Sequence, residues 1–148
     1  MTQEQKDLLL KDLCSRLPYG VKILHQGWNY EWDQERSTLE KVIGIDERFI
    51  YTKVIDNNGK EYKSDKHIIS LFDDKPYLFP LSSMTERHCY KLASIRSGFQ
   101  DCWKYIKTPI PLSICNFEQI DWFHKNHFDY RGLIEKGLAI DATGLNIY

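Results

Sequence analysis

The residues best suited to chemistry sit together in Asp121-Trp122-Phe123-His124-Lys125-Asn126-His127-Phe128-Asp129-Tyr130-Arg131-Gly132-Leu133, which holds two histidines and four aromatics beside acids and bases. On a helix, His124 and His127 form an i, i+3 pair whose imidazoles point the same way, and Asp129 follows closely. Three such groups could grip a divalent cation or bind and hydrolyse a small molecule. The spacing is permissive, because the i, i+4 pair and built-in Glu base of H-E-x-x-H enzymes are absent. The alternative is a helix end in which His127 packs beside Ile120 and Phe123. His124, His127 and Asp129 are therefore read as a candidate polar cluster, with no metal and no cofactor expected.

Trp28-Asn29-Tyr30-Glu31-Trp32 sets three aromatics at alternating positions, which would face one way on an extended chain. Trp28, Tyr30 and Trp32, together with Trp122 and Tyr130, are the candidate binding residues, since Tyr and Trp dominate interface hot spots. Cys89, Cys102 and Cys115 could join His88, His124 or His127 around zinc, but only composition supports that, and cysteine also behaves as a small core hydrophobe. Arg87, Lys91, Arg96, Lys104 and Lys107, interleaved with Tyr90, Trp103 and Tyr105, resemble a nucleic-acid surface. On a helical wheel the five cations scatter around an apolar stripe, which favours a solvated helix. No P-loop, G-x-G-x-x-G, G-x-S-x-G or H-x-E with C-x-x-C is present, which disfavours the enzyme classes with strong signatures.

These residues need elements to hold them. Thr2-Gln3-Glu4-Gln5 has the form of a capping box and predicts a helix over roughly 3–16, with Leu9, Leu10, Leu13, Cys14 and Leu17 as its apolar stripe. Val21–Leu24, Thr38–Ile45, Phe49–Ile55 and His67–Phe72 are short runs rich in β-branched and aromatic residues, the pattern of strands. Asn58-Gly59 predicts a two-residue type I′ hairpin turn between Phe49–Asp56 and Lys60–Lys63, and residues 28–37 read as an exposed loop. A second capping box, Ser83-Met84-Thr85-Glu86, predicts a long amphipathic helix through about residue 106. A third helix opens at Asn116 and runs to about His127. Asp129 is expected to cap a short helix that Gly137 ends in a left-handed conformation.

The 148 residues carry a formal charge of −1, with 12 basic against 14 acidic residues up to Leu81 and 8 against 7 after it. Neither part looks like a polyanion binder. Four scattered cysteines with no C-x-x-C pair, and a polar start in place of a signal peptide, predict reduced thiols in the cytoplasm. No apolar run approaches the ~18 residues a membrane span requires.

Three blocks, Asp12–Val21, Lys75–Glu86 and Phe128–Ala139, resemble a family of uncharacterised small proteins encoded by phages, prophages and mobile elements of gut bacteria. The similarity is loose between Leu24 and Ser70, and Phe79 stands where relatives tend to have Arg. The resemblance implies a phage or mobile-element setting inside a bacterial cytoplasm, and no activity or site residue. The expected architecture is one α+β domain, 1–148. A helix (1–18) precedes a small antiparallel sheet or SH3-like barrel (19–81), and helices packed on it follow (82–148). The expected function is that of a non-enzymatic accessory protein binding a host or phage protein. The alternatives are nucleic-acid binding through the barrel or basic helix, and a small-molecule pocket at the His/Asp cluster.

Overall fold

A computed structural model describes residues 1–29, 34–46, 49–56, 58–68, 74–95 and 115–148, without the side chains of 27–29, 34–36 and 62–68. The fold is α+β, and the chain divides into two compact units, Met1–Tyr77 and Leu78–Tyr148.

The N-terminal unit begins with α1 (Gln3–Arg16). Its capping box forms as expected, with the Gln5 N–H donated to the Thr2 hydroxyl and the Thr2 N–H to the Gln5 side chain. Pro18 sits in a 3-10 turn, Leu17–Tyr19, which ends the helix. The strands β1 (Lys22–Asn29), β2 (Gln34–Ile45), β3 (Phe49–Ile55) and β4 (Glu61–Ile68) follow as an antiparallel meander. Residues Lys75 and Pro76 of β5 (Lys75–Pro80) pair with the other edge of β1. In β3, Ile50, Thr52 and Val54 are buried while the intervening residues are half-buried, the period of a one-sided sheet. Leu9 and Leu13 of α1 join Val21, Ile23, Val42 and Ile50 in one buried cluster.

Polar groups are buried in this unit too. Asp12 and Arg16, one helical turn apart, are both 0% exposed, and the Arg16 Nε and Nη2 donate to the two Asp12 oxygens at 2.6 and 3.2 Å. Glu40, in register with Ile23 and Val54 on the buried face, accepts from the hydroxyls of Thr38 at 2.6 Å and Thr52 at 2.5 Å. The His25 Nδ1 lies 2.6 Å from the buried Asp74 carboxylate, linking β1 to the residue before β5. On the opposite face, Lys41 and Lys53 stand directly across from each other. Glu61 bridges them at 2.7 and 3.2 Å, which relieves the like-charge contact and holds the Glu61 carboxyl below its ordinary pKa.

Several expectations change here. The sheet is open, because among the described residues β4 pairs only with β3, so no SH3-like barrel closes. Trp28, Asn29 and residues 34–37 belong to the β1–β2 hairpin rather than to a loop, since long complementary strands satisfy more backbone groups than an exposed loop would. Gly59 takes φ +79, and the Asp56 N–H donates to the Lys60 carbonyl at 3.1 Å, so the hairpin closes at Asp56 and Lys60 with a loop longer than the two residues of a type I′ turn. The Gly59 N–H donates to the Asp56 carbonyl, and the Asp56 side chain accepts from the Asn58 and Lys60 N–H groups. Cys14 is exposed, outside the buried stripe, and Asp12 and Arg16 occupy inward positions instead.

In the C-terminal unit, Phe79 and Pro80 of β5 pair in parallel with β6 (Phe128–Asp129), and β7 (Ile140–Asp141) also joins β5, with the Ala142 N–H donated to the Leu78 carbonyl at 2.8 Å. A 3-10 turn, Leu81–Ser83, leads to α2 (Glu86–Ile95), and α3 (Phe117–Lys125) follows. The expected extension of α2 toward residue 106, with Gly98, Cys102 and the aromatic Trp103 and Tyr105, lies outside the described residues. The core gathers Leu81, Met84, Cys89, Leu92, Phe123, Phe128 and Tyr130.

Breaking the Asp12–Arg16 pair from one side strands a buried charge, which costs about 3–5 kcal/mol, whereas replacing both partners with apolar groups of similar volume is near neutral. Denaturant unfolding of Asp12→Ala should show a loss of that order. The double variant Asp12→Leu with Arg16→Met should recover most of it.

Candidate functional site

The cluster singled out from the sequence resolves into structural roles set by the end of α3. Asn116 caps the helix, and its side chain exchanges hydrogen bonds with Gln119 in a second reciprocal box. Gln119 is itself buried and reaches α2, its Nε2 donating to the Leu92 carbonyl at 3.4 Å. At the other end, Asn126 closes the helix and His127 takes φ +57, the left-handed conformation that commonly terminates helices. Glycine or asparagine is usual there, but histidine tolerates the region better than most residues. The imidazole of His127 stacks on Tyr148 with ring centroids 3.8 Å apart, and its carbonyl accepts the Phe79 N–H at 2.9 Å, at the start of the parallel β5–β6 pairing.

His124 and Asp129 are committed in the same way. The His124 Nε2 lies 2.6 Å from the Tyr130 hydroxyl, and both residues are buried. The Asp129 oxygens accept the N–H groups of Leu133 and Ile134 at 2.9 and 2.8 Å. Residues 133–137 form successive turns and not the expected short helix, because Asp129 lies in β6 and meets those amides from across the loop. Gly137 does take φ +69. His124 and Asp129 thus turn to different hydrogen-bond partners, while the His127 ring lies against Tyr148. Among the described residues no group of three His, Cys, Asp or Glu side chains is placed to hold a metal.

The binding candidates separate likewise. Tyr130 is 2% exposed and stacks on Phe123 at 5.5 Å, so it is a core residue, not a surface anchor. Trp122 is half-buried, stacked on Phe128 at 5.6 Å and set edge-on to Phe123 and His88. Tyr30 and Trp32 lie outside the described residues, as does the side chain of Trp28, whose backbone pairs with Glu35 in the β1–β2 hairpin. The cysteines are free thiols where described. Burial pushes the Cys89 thiol above its ordinary pKa, the wrong direction for a nucleophile, and partial desolvation at the helix surface moves Cys14 the same way.

The sequence missed two features of this unit. One is His88, whose ring sits 5.2 Å from Phe128 and 5.9 Å from Trp122. Its Nδ1 accepts the Thr85 N–H at 3.1 Å, so the His88 side chain reaches back to the start of α2 in the place expected for Glu86. Ser83 instead donates to the Pro80 carbonyl within the 3-10 turn, which delays the helix by two residues. The other feature is exposure. Phe117, the first residue of α3, is 83% exposed, and Tyr90 on α2 is 67% exposed. Nothing local in the sequence marked Phe117 as exposed, since it stands seven residues before the buried His124 and so on the same side of α3. No protein-family model, curated protein or solved structure matches the chain.

Burial, and secondarily the neighbouring Arg87 charge, lowers the His88 pKa from its ordinary 6.5. The neutral ring is the one that caps α2, so the folded pKa lies below the unfolded one. Its stabilising contribution is present above pH 6.5 and is lost as pH falls through the folded pKa. Thermal melts should decline over that window in the native protein. In His88→Gln, where an amide oxygen keeps the cap without titrating, that part of the decline should vanish.

Removing the Tyr130 hydroxyl leaves the rings in place and deletes the contact to the His124 Nε2. Tyr130→Phe should cost about 1–3 kcal/mol in denaturant unfolding.

Proposed function

We propose that this chain is a non-enzymatic binding protein that docks a partner protein through aromatic side chains held outward on its C-terminal unit. The observation that carries this reading is Phe117, a large apolar ring left 83% exposed on a helix turn fixed by the Asn116–Gln119 box. Single exposed apolar residues are common. A ring on a pre-ordered turn, however, loses little conformational freedom on binding, which is what makes an efficient hot spot. Tyr90 supports the same reading from α2. The hydrogen bonds of His124 to Tyr130 and of Asp129 to the Leu133 and Ile134 amides weigh against a hydrolytic or ligand-gripping role for those two residues.

The resemblance of the three sequence blocks supports a phage or mobile-element accessory protein, working in a bacterial cytoplasm on a host or phage partner. Among the described residues no helix is long and apolar enough to cross a membrane, which agrees with that setting.

Affinity capture from the bacterial host, with the native chain and Phe117→Ser as parallel baits, tests the reading. A specific partner should be retained by the native chain and fall at least about tenfold with the variant, equivalent to ~1.4 kcal/mol, at an unchanged melting temperature. Equal recovery by both baits would remove the assignment.

A further inference from the structure

Helix α2 turns Cys89 and Leu92 inward, with His88 and Ile95 half-buried beside them. Arg87, Tyr90, Lys91 and Ser94 occupy i, i+3, i+4 and i+7 on the opposite side, and all four are exposed. They are therefore neighbours on one outward stripe. The Ser94 hydroxyl is turned back to the Lys91 carbonyl at 2.7 Å, so the stripe presents two cations around a tyrosine. Neither Arg87 nor Lys91 makes an ion pair with a described residue. The acid of this helix, Glu86, lies on the far flank of Tyr90 from Lys91. Two cations that form no ion pair with a described residue, set beside a ring that is 67% exposed, form a surface complementary to negative charge next to an apolar group.

We propose that this stripe docks an acidic segment of a partner polypeptide, with carboxylates on Arg87 and Lys91 and an apolar side chain on Tyr90. The proposal rests on the reading of the C-terminal unit as a protein-docking surface and names the chemistry of what it takes. Arg presents a planar fork that matches a carboxylate with two hydrogen bonds, and Tyr and Arg are the residues most enriched where such interfaces concentrate their energy. A nucleic acid fits less well. Two cations can neutralise only two phosphates, and non-specific nucleic-acid affinity is assembled from many such contacts, each contributing a slope of about −0.9 in log K against log salt. The chain as a whole carries a charge of −1, which adds no long-range attraction for a polyanion.

The test is a titration of isotope-labelled full-length protein, followed by amide chemical shifts, with a short peptide of Glu-Glu-Phe repeats. A Gln-Gln-Phe counterpart and an oligothymidylate of matching charge serve as competing probes. The expected result is saturable movement of the 86–94 amides with the acidic peptide, weakened about tenfold or more by the Gln peptide. The movement should be lost in Arg87→Glu with Lys91→Glu, and in Tyr90→Ala, all exposed changes that should leave the melting temperature unaltered. No movement on α2, equal binding of the Gln peptide, or an equal response to oligothymidylate would each overturn the proposal. If the peptide moves the Phe117 amide but not α2, the docking surface of the preceding section stands and its preference for acid fails.

Discussion

A polar group taken out of water must meet its partner inside the protein, and that constraint organises both units of this chain. Asp12 meets Arg16 on one helix, Glu40 meets two threonines on two neighbouring strands, and His25 meets Asp74 between β1 and the approach to β5. In the C-terminal unit, His124 meets Tyr130, Asp129 meets two loop amides, and Gln119 ties α3 to α2. The pairings between elements, such as Glu40 with Thr52 and Gln119 with the Leu92 carbonyl, add a directional preference that apolar contact alone lacks. The apolar clusters around Leu9 and Leu13, and around Phe123 and Phe128, supply attraction, while these pairs fix orientation.

The same constraint bears on function. A histidine or carboxylate available for catalysis needs a face open to substrate, but the His124, His127 and Asp129 side chains are turned into the structure that surrounds them. Their density in the sequence reflects a crowded helix end, where a left-handed residue, a parallel strand pair and a loop cap converge within six residues. Chemistry-bearing residue types at close spacing are as characteristic of such junctions as of active sites. The outward-facing residues Phe117, Tyr90, Arg87 and Lys91 carry no comparable internal duty, which is why the binding reading rests on them.

Aromatic content follows a related logic. Trp122, Phe128, His88, Phe123 and Tyr130 lie ring against ring, at centroid distances of 5.2 to 5.9 Å, in edge-on and stacked arrangements. Such pairs add directional contact to ordinary burial, and two of the rings carry polar atoms that serve as a helix cap and a hydrogen-bond partner. The unit therefore builds its core from amphipathic rings, so an excess of aromatics in the sequence did not by itself distinguish a surface anchor from a core residue.

What the sequence determined by itself is local. The α+β class, the box at Thr2, the strands around β1 to β3 and the hairpin at Gly59 were legible, as were the box at Asn116 and the left-handed Gly137. Each depends on backbone preferences or side-chain reach within a few residues. The Asp12-to-Arg16 spacing was visible too, but nothing local says whether such a pair faces water or core. Only the tertiary structure decided that the sheet stays open and that His88, not Glu86, reaches back to the first amides of α2. It also decided that Tyr130 is buried while Phe117 is not. These outcomes depend on which distant strand or ring arrives to exclude water and supply a hydrogen-bond partner, information that the spacing of residues along one segment does not contain.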